Sequence, residues 1–243
     1  HSLIDSTNDY LMRKLPNNIE HGQLCIAEYQ AAGRGRRGRE WQSPFGSNLY
    51  LSYYGFLEQG MSAAMGLSLL TAVSLSDAIK SLYSVDVQLK WPNDVYLNGV
   101  KLAGILIDLE GQASGPCHSV IGIGLNLKMP EYSAKKIDQL WTDLQSHIDQ
   151  PIDRNSLVAT IVEKLNIRLL EQKKNGLSQL VERWHQLDYF LNREVQLISG
   201  DKSEIGICRG VDSQGALLFE QNNEVRTIYG GEVSLRGSNA IID

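Results

Sequence analysis

Asn98-Gly99 stands between two apolar runs, Val95-Tyr96-Leu97 and Val100 to Leu106, and constrains the fold of this chain more than any other dipeptide in it. A type I′ turn needs positive φ at both central residues, which Asn and Gly adopt at least cost, so the pair predicts a tight two-residue hairpin. Such a loop sets the register: Leu97 opposite Val100, Tyr96 opposite Lys101 and Asp94 opposite Ala103. Side chains alternate along a strand, which puts Asp94, Tyr96, Lys101 and Ala103 on one face, with Lys101 diagonal to Asp94. Lys90 lies just upstream. Two lysines and an acid beside an apolar hairpin suit the neutralisation of charge on a transferring phosphoryl group, or a metal held by the acid. The plainer reading of any single Lys/Asp pair is a cross-strand ion pair at the surface.

The rest of the chain reads as an α/β body followed by a small all-β module. Asp5-Ser6-Thr7-Asn8 offers N-caps to a short helix carrying Tyr10, Leu11 and Leu15. Residues 24–29 and 49–54 read as strands on either side of an Arg/Gly loop. From Ser62 to Tyr83 apolar residues run almost all round the helix, which predicts a deeply covered element. Strands follow at 87–91, 94–97, 100–109 and 119–127, then outer helices over 153–171 and 177–187. After Asn192 short alternating segments separated by Gly/Asp/Asn/Ser turns take over. The expected division is a main domain over 1–190 and a second unit over 191–243, in keeping with a length of 243 residues.

Composition removes several classes. With 42% apolar and 21% charged residues the chain is neither disordered nor collagen-like. The longest uncharged stretch, Gln59 to Ser76, is too polar for a bilayer span, so no membrane association is expected. Cys25, Cys117 and Cys208 are odd in number and far apart, which argues against a disulfide framework or a Cys-rich zinc site and for a reducing, cytoplasmic setting. The five histidines show no metal-ligand spacing, and Gly-x-Ser-x-Gly does not occur. The chain opens on His1, which suggests trimming from a longer product.

Net charge is −5, yet four of the 23 basic residues, Arg34, Arg36, Arg37 and Arg39, share the run Gly33 to Arg39 with three glycines, ahead of Trp41. Glycines let backbone N–H groups approach a ligand and guanidiniums supply paired donors to phosphate or carboxylate, so a flexible anion-clamping loop is expected. It is neither a Walker A loop nor a Rossmann fingerprint. A solvated basic turn and an RGG-like nucleic-acid segment remain open on composition, though a protein of net −5 lacks the broad basic surface of non-specific nucleic-acid binding. Gly122-Ile123-Gly124-Leu125-Asn126 closes an apolar strand, where glycines mark a bulge or a close approach to the backbone. Ser6, Thr7 and Asn8 taken alone read as a helix cap.

Together these segments resemble bacterial biotin protein ligases. The resemblance rests on Asp5-Ser6-Thr7-Asn8, Ala27-Glu28-Tyr29-Gln30, Gly33 to Arg39 with Trp41, Lys90-Trp91-Pro92-Asn93-Asp94, Lys101-Leu102-Ala103-Gly104-Ile105-Leu106, Gly122 to Asn126 and Gly230 to Arg236, in that order along nearly the whole chain. It implies an α/β (α+β) fold: a mixed β-sheet catalytic domain with flanking helices and a small C-terminal SH3-like β-barrel. It also implies a two-step reaction. Biotin carboxylate attacks the α-phosphate of ATP, with Mg2+, to give biotinyl-5′-AMP and pyrophosphate. A lysine of the biotin carboxyl carrier protein of acetyl-CoA carboxylase then attacks the anhydride.

On this sequence the resemblance implies biotin contacts at Ser6, Thr7, Asn8, Gln30, Arg34, Gly35, Arg36, Lys101 and Gly104. Lys101 and Arg36 are the implied catalytic residues, Lys101 at the reacting carboxylate and Arg36 as the central clamp on the adenylate. Arg36, Trp41, Lys90, Asn93, Asp94, Asn126 and Arg236 form the implied ATP and adenylate site, Asp94 being the expected metal ligand. Glu232 or Arg236 is expected to reach the nucleotide or the carrier. Dimerisation through the edge of the catalytic sheet is common in the family. One branch adds an N-terminal winged helix that represses biotin genes; this chain begins just before Ser6-Thr7-Asn8, so no specific DNA binding by it is expected. A lipoate or octanoate ligase or transferase on the same fold is the nearest alternative.

Overall fold

The hairpin forms with the turn chemistry that the dipeptide dictates: Asn98 and Gly99 have φ of 53° and 80°. In the computed structural model, which describes residues 1–58, 64–111, 115–134, 137, 139–230 and 233–237, β4 (Asp94–Leu97) pairs with β5 (Val100–Gly111). Leu97 faces Val100 and Tyr96 faces Lys101 as expected, but the register then slips, so that Val95 faces Ala103 and Asp94 faces Gly104. The expected Asp94–Ala103 pair is therefore wrong by one residue. A bulge accommodates Leu102, which lets Leu102 and Ala103 both bury completely and moves Ala103 off the face of Lys101. Gly104 takes the place intended for Ala103, and an alanine-sized Cβ on it would sit 3.4 Å from Lys101 Nζ.

Six strands make the first sheet, in the order β1 (Leu24–Ala27), β2 (Asn48–Leu57), β6 (Cys117–Asn126), β5, β4 and β3 (Gln88–Lys90). Every strand pair in it is antiparallel. The parallel part of the expected mixed sheet is confined to isolated bridges, Ile4 with Gln30, Leu89 with Asp188 and Lys101 with Trp141.

One face of this sheet meets α2 (Ala64–Tyr83), backed by α4 (Arg154–Asn175) and α5 (Ser178–Leu187). The all-round apolar character of α2 follows from that central place. Leu67, Leu69, Leu70 and Leu75 are fully buried, each contributing roughly 1.5–3 kcal/mol. The Thr71 and Ser74 hydroxyls donate to Leu67 O and Leu70 O within the helix. The expected start at Ser62 lies outside the described residues. Asp153 caps α4, accepting from Asn155 N and Ser156 N.

The opposite face carries α1 (Thr7–Met12), packed by Leu11 on Cys25, Tyr54 and Val120. Ser6 is its N-cap, accepting from Asp9 N at 3.4 Å. A second antiparallel sheet follows, in the order β10 (Glu224–Ile228), β9 (Leu217–Gln221), β8 (Lys202–Val211), β7 (Glu194–Ser199) and β11 (Val233–Gly237). Its end strands do not pair with each other among the described residues, so the expected barrel is an open five-stranded sheet here. It is tied to the first sheet by the buried Trp91, whose indole N–H donates to Gly215 O at 3.1 Å.

Candidate active site

A cleft of about 1710 Å³ opens on the α1 face of the first sheet and reaches β11. Alternation builds its floor. Tyr50 on β2, Gly104 and Leu106 on β5 and Gly122 and Gly124 on β6 all line it, while Leu49, Leu51 and Ile121, of the opposite parity, go to the core under α2.

The glycines are gaps filled by the protein's own side chains. A Cβ on Gly124 would lie 2.5–2.8 Å from the Trp41 ring, and one on Gly104 3.1 Å from it. Gly104 and Gly124 are direct partners across the sheet, so Trp41 spans them both. A Cβ on Gly122 would collide with the Asn8 amide.

Asn8 is locked in that gap. Its Nδ2 donates to Asp108 Oδ2 at 2.8 Å, and its Oδ1 lies 2.5 Å from Ser52 Oγ. Thr7 gives both its N–H and its hydroxyl to Gln30 Oε1, at 2.9 and 3.1 Å, and Gln30 Nε2 donates to Ser43 Oγ at 3.2 Å. The first turn of α1 is thus more than a cap: it forms a rigid polar wall of the cleft.

The Arg/Gly segment carries local backbone structure of its own. Arg34 bridges to Glu40, Gly35 N donates to Arg39 O at 2.7 Å and Trp41 N to Gly33 O at 2.9 Å. A 3-10 turn over Arg36–Gly38 closes it, with Arg37 at φ 60° and Gly38 at φ 69°. Arg34 is paired with Asp9 at 2.5 Å and Asp108 at 2.7 Å. Arg36 points the other way, donating to Asn93 Oδ1 at 3.0 Å. Asn93 is fixed in turn by Ile105 O, to which its Nδ2 donates at 2.7 Å.

Beyond Arg36 the cleft holds its charge cluster. Lys101 Nζ lies 2.7 Å from Asp94 Oδ1, both side chains more than four-fifths covered, and 5.5 Å from the Trp41 ring centre. Burial pushes the Asp94 carboxyl up, but Lys101, Lys90 and Arg36 outweigh it and hold it below its ordinary range. Burial pulls the Lys90 ammonium down, partly offset by Asp94. Lys90 Nζ donates to Tyr96 Oη at 2.8 Å, and burial, with Asp94 nearby, pushes that phenol up to about 12. Burial also lowers Arg36. Three cations around one carboxylate leave a net positive floor, prepared for an anion with little reorganisation.

Residues 1–126 match the biotin/lipoate A/B protein ligase family, and residues 190–236 match the biotin protein ligase C terminal domain. The chain belongs to the biotin protein ligases. Within that family it is 46% identical over 236 residues to the bifunctional ligase/repressor BirA of Escherichia coli, covering 97% of this chain and 73% of the relative. It is 30% identical to the biotin–[acetyl-CoA-carboxylase] ligase of Paracoccus denitrificans, covering 96% of this chain and 98% of that one. The biotin protein ligase of Aquifex aeolicus, solved in complex with biotin and ATP, superposes with a TM-score of 0.82 at 27% identity, over 98% of this chain and 97% of that one.

In this family member the cleft gathers nearly all the residues expected from sequence: Ser6, Thr7, Asn8, Gln30 and Arg34 at one end, with Gly35, Arg36, Trp41, Lys90, Asn93, Asp94, Lys101, Gly104 and Arg236 beyond them. Asn126 does not line it. Its amide is buried and donates to Thr142 O at 3.0 Å, serving the segment that borders the cleft. Glu232 lies outside the described residues.

Sequence reasoning missed Ser52, Asp108 and Trp141. Strand parity carries a signal for two of them, because Ser52 alternates with Tyr50 and Asp108 with Leu106 on the cleft side. Trp141 carries none: it comes 40 residues after Lys101 and reaches it through an isolated parallel bridge.

Proposed function

We propose that this chain activates biotin with ATP as biotinyl-5′-AMP and passes the biotinyl group to a lysine of the biotin carboxyl carrier protein of acetyl-CoA carboxylase. The observation that carries this reading is one cleft joining a hydrogen-bonded polar wall to a cationic floor, Lys101, Lys90 and Arg36 around Asp94.

Each residue has a role in keeping with its surroundings. Thr7, Asn8 and Gln30, already oriented by Ser52, Asp108 and Ser43, present the biotin ring with fixed polar groups, and Ser6 and Arg34 close that end. Lys101 stands where the biotin carboxylate and the α-phosphate meet. These are two anions that repel each other, and an ammonium between them lowers the barrier to their approach. Attack forms the C–O–P anhydride bond and expels pyrophosphate. Arg36, aimed by Asn93, closes on the adenylate, with Trp41 beneath and Lys90 and Arg236 towards the phosphates. The incoming carrier amine then attacks the anhydride carbonyl, loses a proton and releases AMP.

Magnesium accompanies ATP as the counter-ion of its phosphates. The described residues hold no group of three His, Cys, Asp or Glu side chains suited to a metal, and Asp94 is already paired with Lys101. A resident metal held by Asp94 does not fit that donor set.

We assign residues 1–190 to the catalytic unit and 191–243 to the C-terminal unit, which lines the cleft with Arg236 and its neighbours on β11 and with Arg193 and Glu194. Buried, unpaired Cys25, Cys117 and Cys208 suit the reducing cytoplasm. No helix among the described residues is long and apolar enough to cross a membrane.

The test is mass spectrometry of a carrier domain incubated with the chain, biotin and ATP. One biotinyl addition on the acceptor lysine, dependent on both substrates, is expected. Formation of lipoyl-AMP with no biotinyl-AMP overturns the choice of acid, and tight, salt-sensitive oligonucleotide binding without biotin-dependent pyrophosphate release overturns the reaction.

A further inference from the structure

We propose that His147 is a positioning residue for the adenylation step, fastening the segment that clamps the backbone of Lys101. The inference deepens the function proposed above and rests on it. As a sequence feature His147 is one of five histidines without metal-ligand spacing. Its place in the fold is more informative.

The Lys101 main chain is gripped on both sides. On one side it pairs with Tyr96 in the hairpin. On the other, Lys101 N donates to Leu140 O at 3.3 Å and Lys101 O accepts from Thr142 N at 2.8 Å. Residues 140–142 thus act as a short extra strand against a bulged stretch of β5, where the ordinary ladder is interrupted. Leu140 and Trp141 also line the cleft, so the same segment shapes the site and steadies its central lysine.

Thr142 is the node of that segment. Its carbonyl accepts from Asn126 Nδ2 at 3.0 Å, and Leu144 N donates to Asn126 O at 3.0 Å, which moors the segment to the end of β6. Its hydroxyl lies 2.7 Å from His147 Nε2, and His147 Nδ1 lies 3.4 Å from Asn98 Nδ2. An amide N–H facing Nδ1 makes that nitrogen the acceptor, so Nε2 carries the proton and donates to Thr142 Oγ1.

One imidazole therefore joins the turn three residues before Lys101 to the residue that binds the Lys101 carbonyl. His147 is itself exposed and lines neither the core nor the cleft, so core packing does not account for these two contacts. What they hold in register is the approach of the Lys101 ammonium to Asp94 and to the reacting anions, where a displacement of about 1 Å is costly.

The experiment uses the full chain with His147→Ala, His147→Gln, Thr142→Val and the double variant His147→Ala/Thr142→Val. Two half-reactions are followed: biotin-dependent pyrophosphate release, and transfer to a carrier domain from supplied biotinyl-AMP. His147→Ala and Thr142→Val are each expected to lower kcat for pyrophosphate release by about 3–10-fold, the range one hydrogen bond supplies. KM for biotin and the rate of transfer from supplied adenylate stay within about twofold, because Lys101 acts in the first step. Glutamine, whose amide reaches the Nε2 position, restores most of the rate, and the double variant is no slower than the slower single one. An unchanged kcat in His147→Ala, an equal loss in both half-reactions, or no recovery with glutamine overturns the proposal while leaving the proposed function standing. Absence of biotin-dependent pyrophosphate release in the parent chain overturns the proposed function, and this inference with it.

Discussion

Replacing Gly124 by alanine adds one methyl group to the floor of the cleft, directly under the Trp41 ring. The new Cβ would lie 2.5 Å from Trp41 Cε2, 2.7 Å from Cζ2 and 2.8 Å from Nε1. Carbon atoms in contact sit about 3.5–4.0 Å apart, so the indole must retreat by about 1 Å. Nothing flexible yields in its place, because the ring is rigid and also spans Gly104 on the next strand. Overpacking of this kind costs about 1–3 kcal/mol. In a chain of this size that lowers Tm by about 2–12 °C. The retreating ring also leaves the underside of Lys101, whose Nζ is 5.5 Å from its centre. If the full cost falls on assembling the site, biotin-dependent pyrophosphate release slows by about 5–150-fold. Thermal unfolding and pyrophosphate release measured side by side on the variant check both numbers. Gly104→Ala is the comparison: its Cβ meets Trp41 Cζ3 at 3.1 Å and Lys101 at 3.4 Å, so a smaller loss is expected. In a Trp41→Ala background the Gly124→Ala penalty disappears to within about 0.5 kcal/mol, because the atoms it strikes are gone. Parent-like Tm and rate in Gly124→Ala, or a penalty that persists without Trp41, refutes the placement of the indole across β5 and β6.

Three further outcomes are expected. Lys101→Ala lowers biotin-dependent pyrophosphate release by about a hundredfold or more with the fold intact by circular dichroism; a parent-like rate removes Lys101 from the mechanism. Arg36→Gly loosens the hold on biotinyl-AMP, so that bystander proteins in the mixture are biotinylated non-selectively; a variant that retains labelled adenylate through gel filtration as well as the parent does sinks that role. The third concerns acid stability. Bidentate bonding from Arg13, reinforced by Ser6 N, holds the Asp5 carboxyl at about 2 against an ordinary 3.8. Its contribution is present above pH 3.8 and fades as pH falls through 2, so Asp5→Asn flattens the acid limb of a Tm-against-pH curve in that window. Identical slopes in parent and variant contradict it.

Most of the secondary structure was legible because its causes are local. The Asn98-Gly99 turn, the Ser6 cap, the all-round apolar α2 and the alternating segments after Asn192 each carry their signal within a few residues. The candidate site was legible as a set of motifs. Its members were legible as neighbours only along the chain, as with Lys101 and Asp94 on one hairpin. The Leu102 bulge was not legible, because two consecutive residues burying together is a demand of the packed core, and the turn carries no sign of it.

Signals local to the chain set which stretches are helix or strand, where the turns fall, and which polar residues interrupt apolar patterns. Tertiary structure alone decided that Asn8 fills the gap at Gly122 and bonds Asp108, 100 residues away. It also decided that Trp41 rests on two glycines of different strands and that Arg34 is neutralised by Asp9 and Asp108 while Arg36 turns towards Asn93. The two differ in range. Backbone propensity and side-chain alternation act between near neighbours in sequence. The partner of a buried polar group, the depth of a charge and the space left by a missing Cβ are set by whichever distant segments the sheet order brings together.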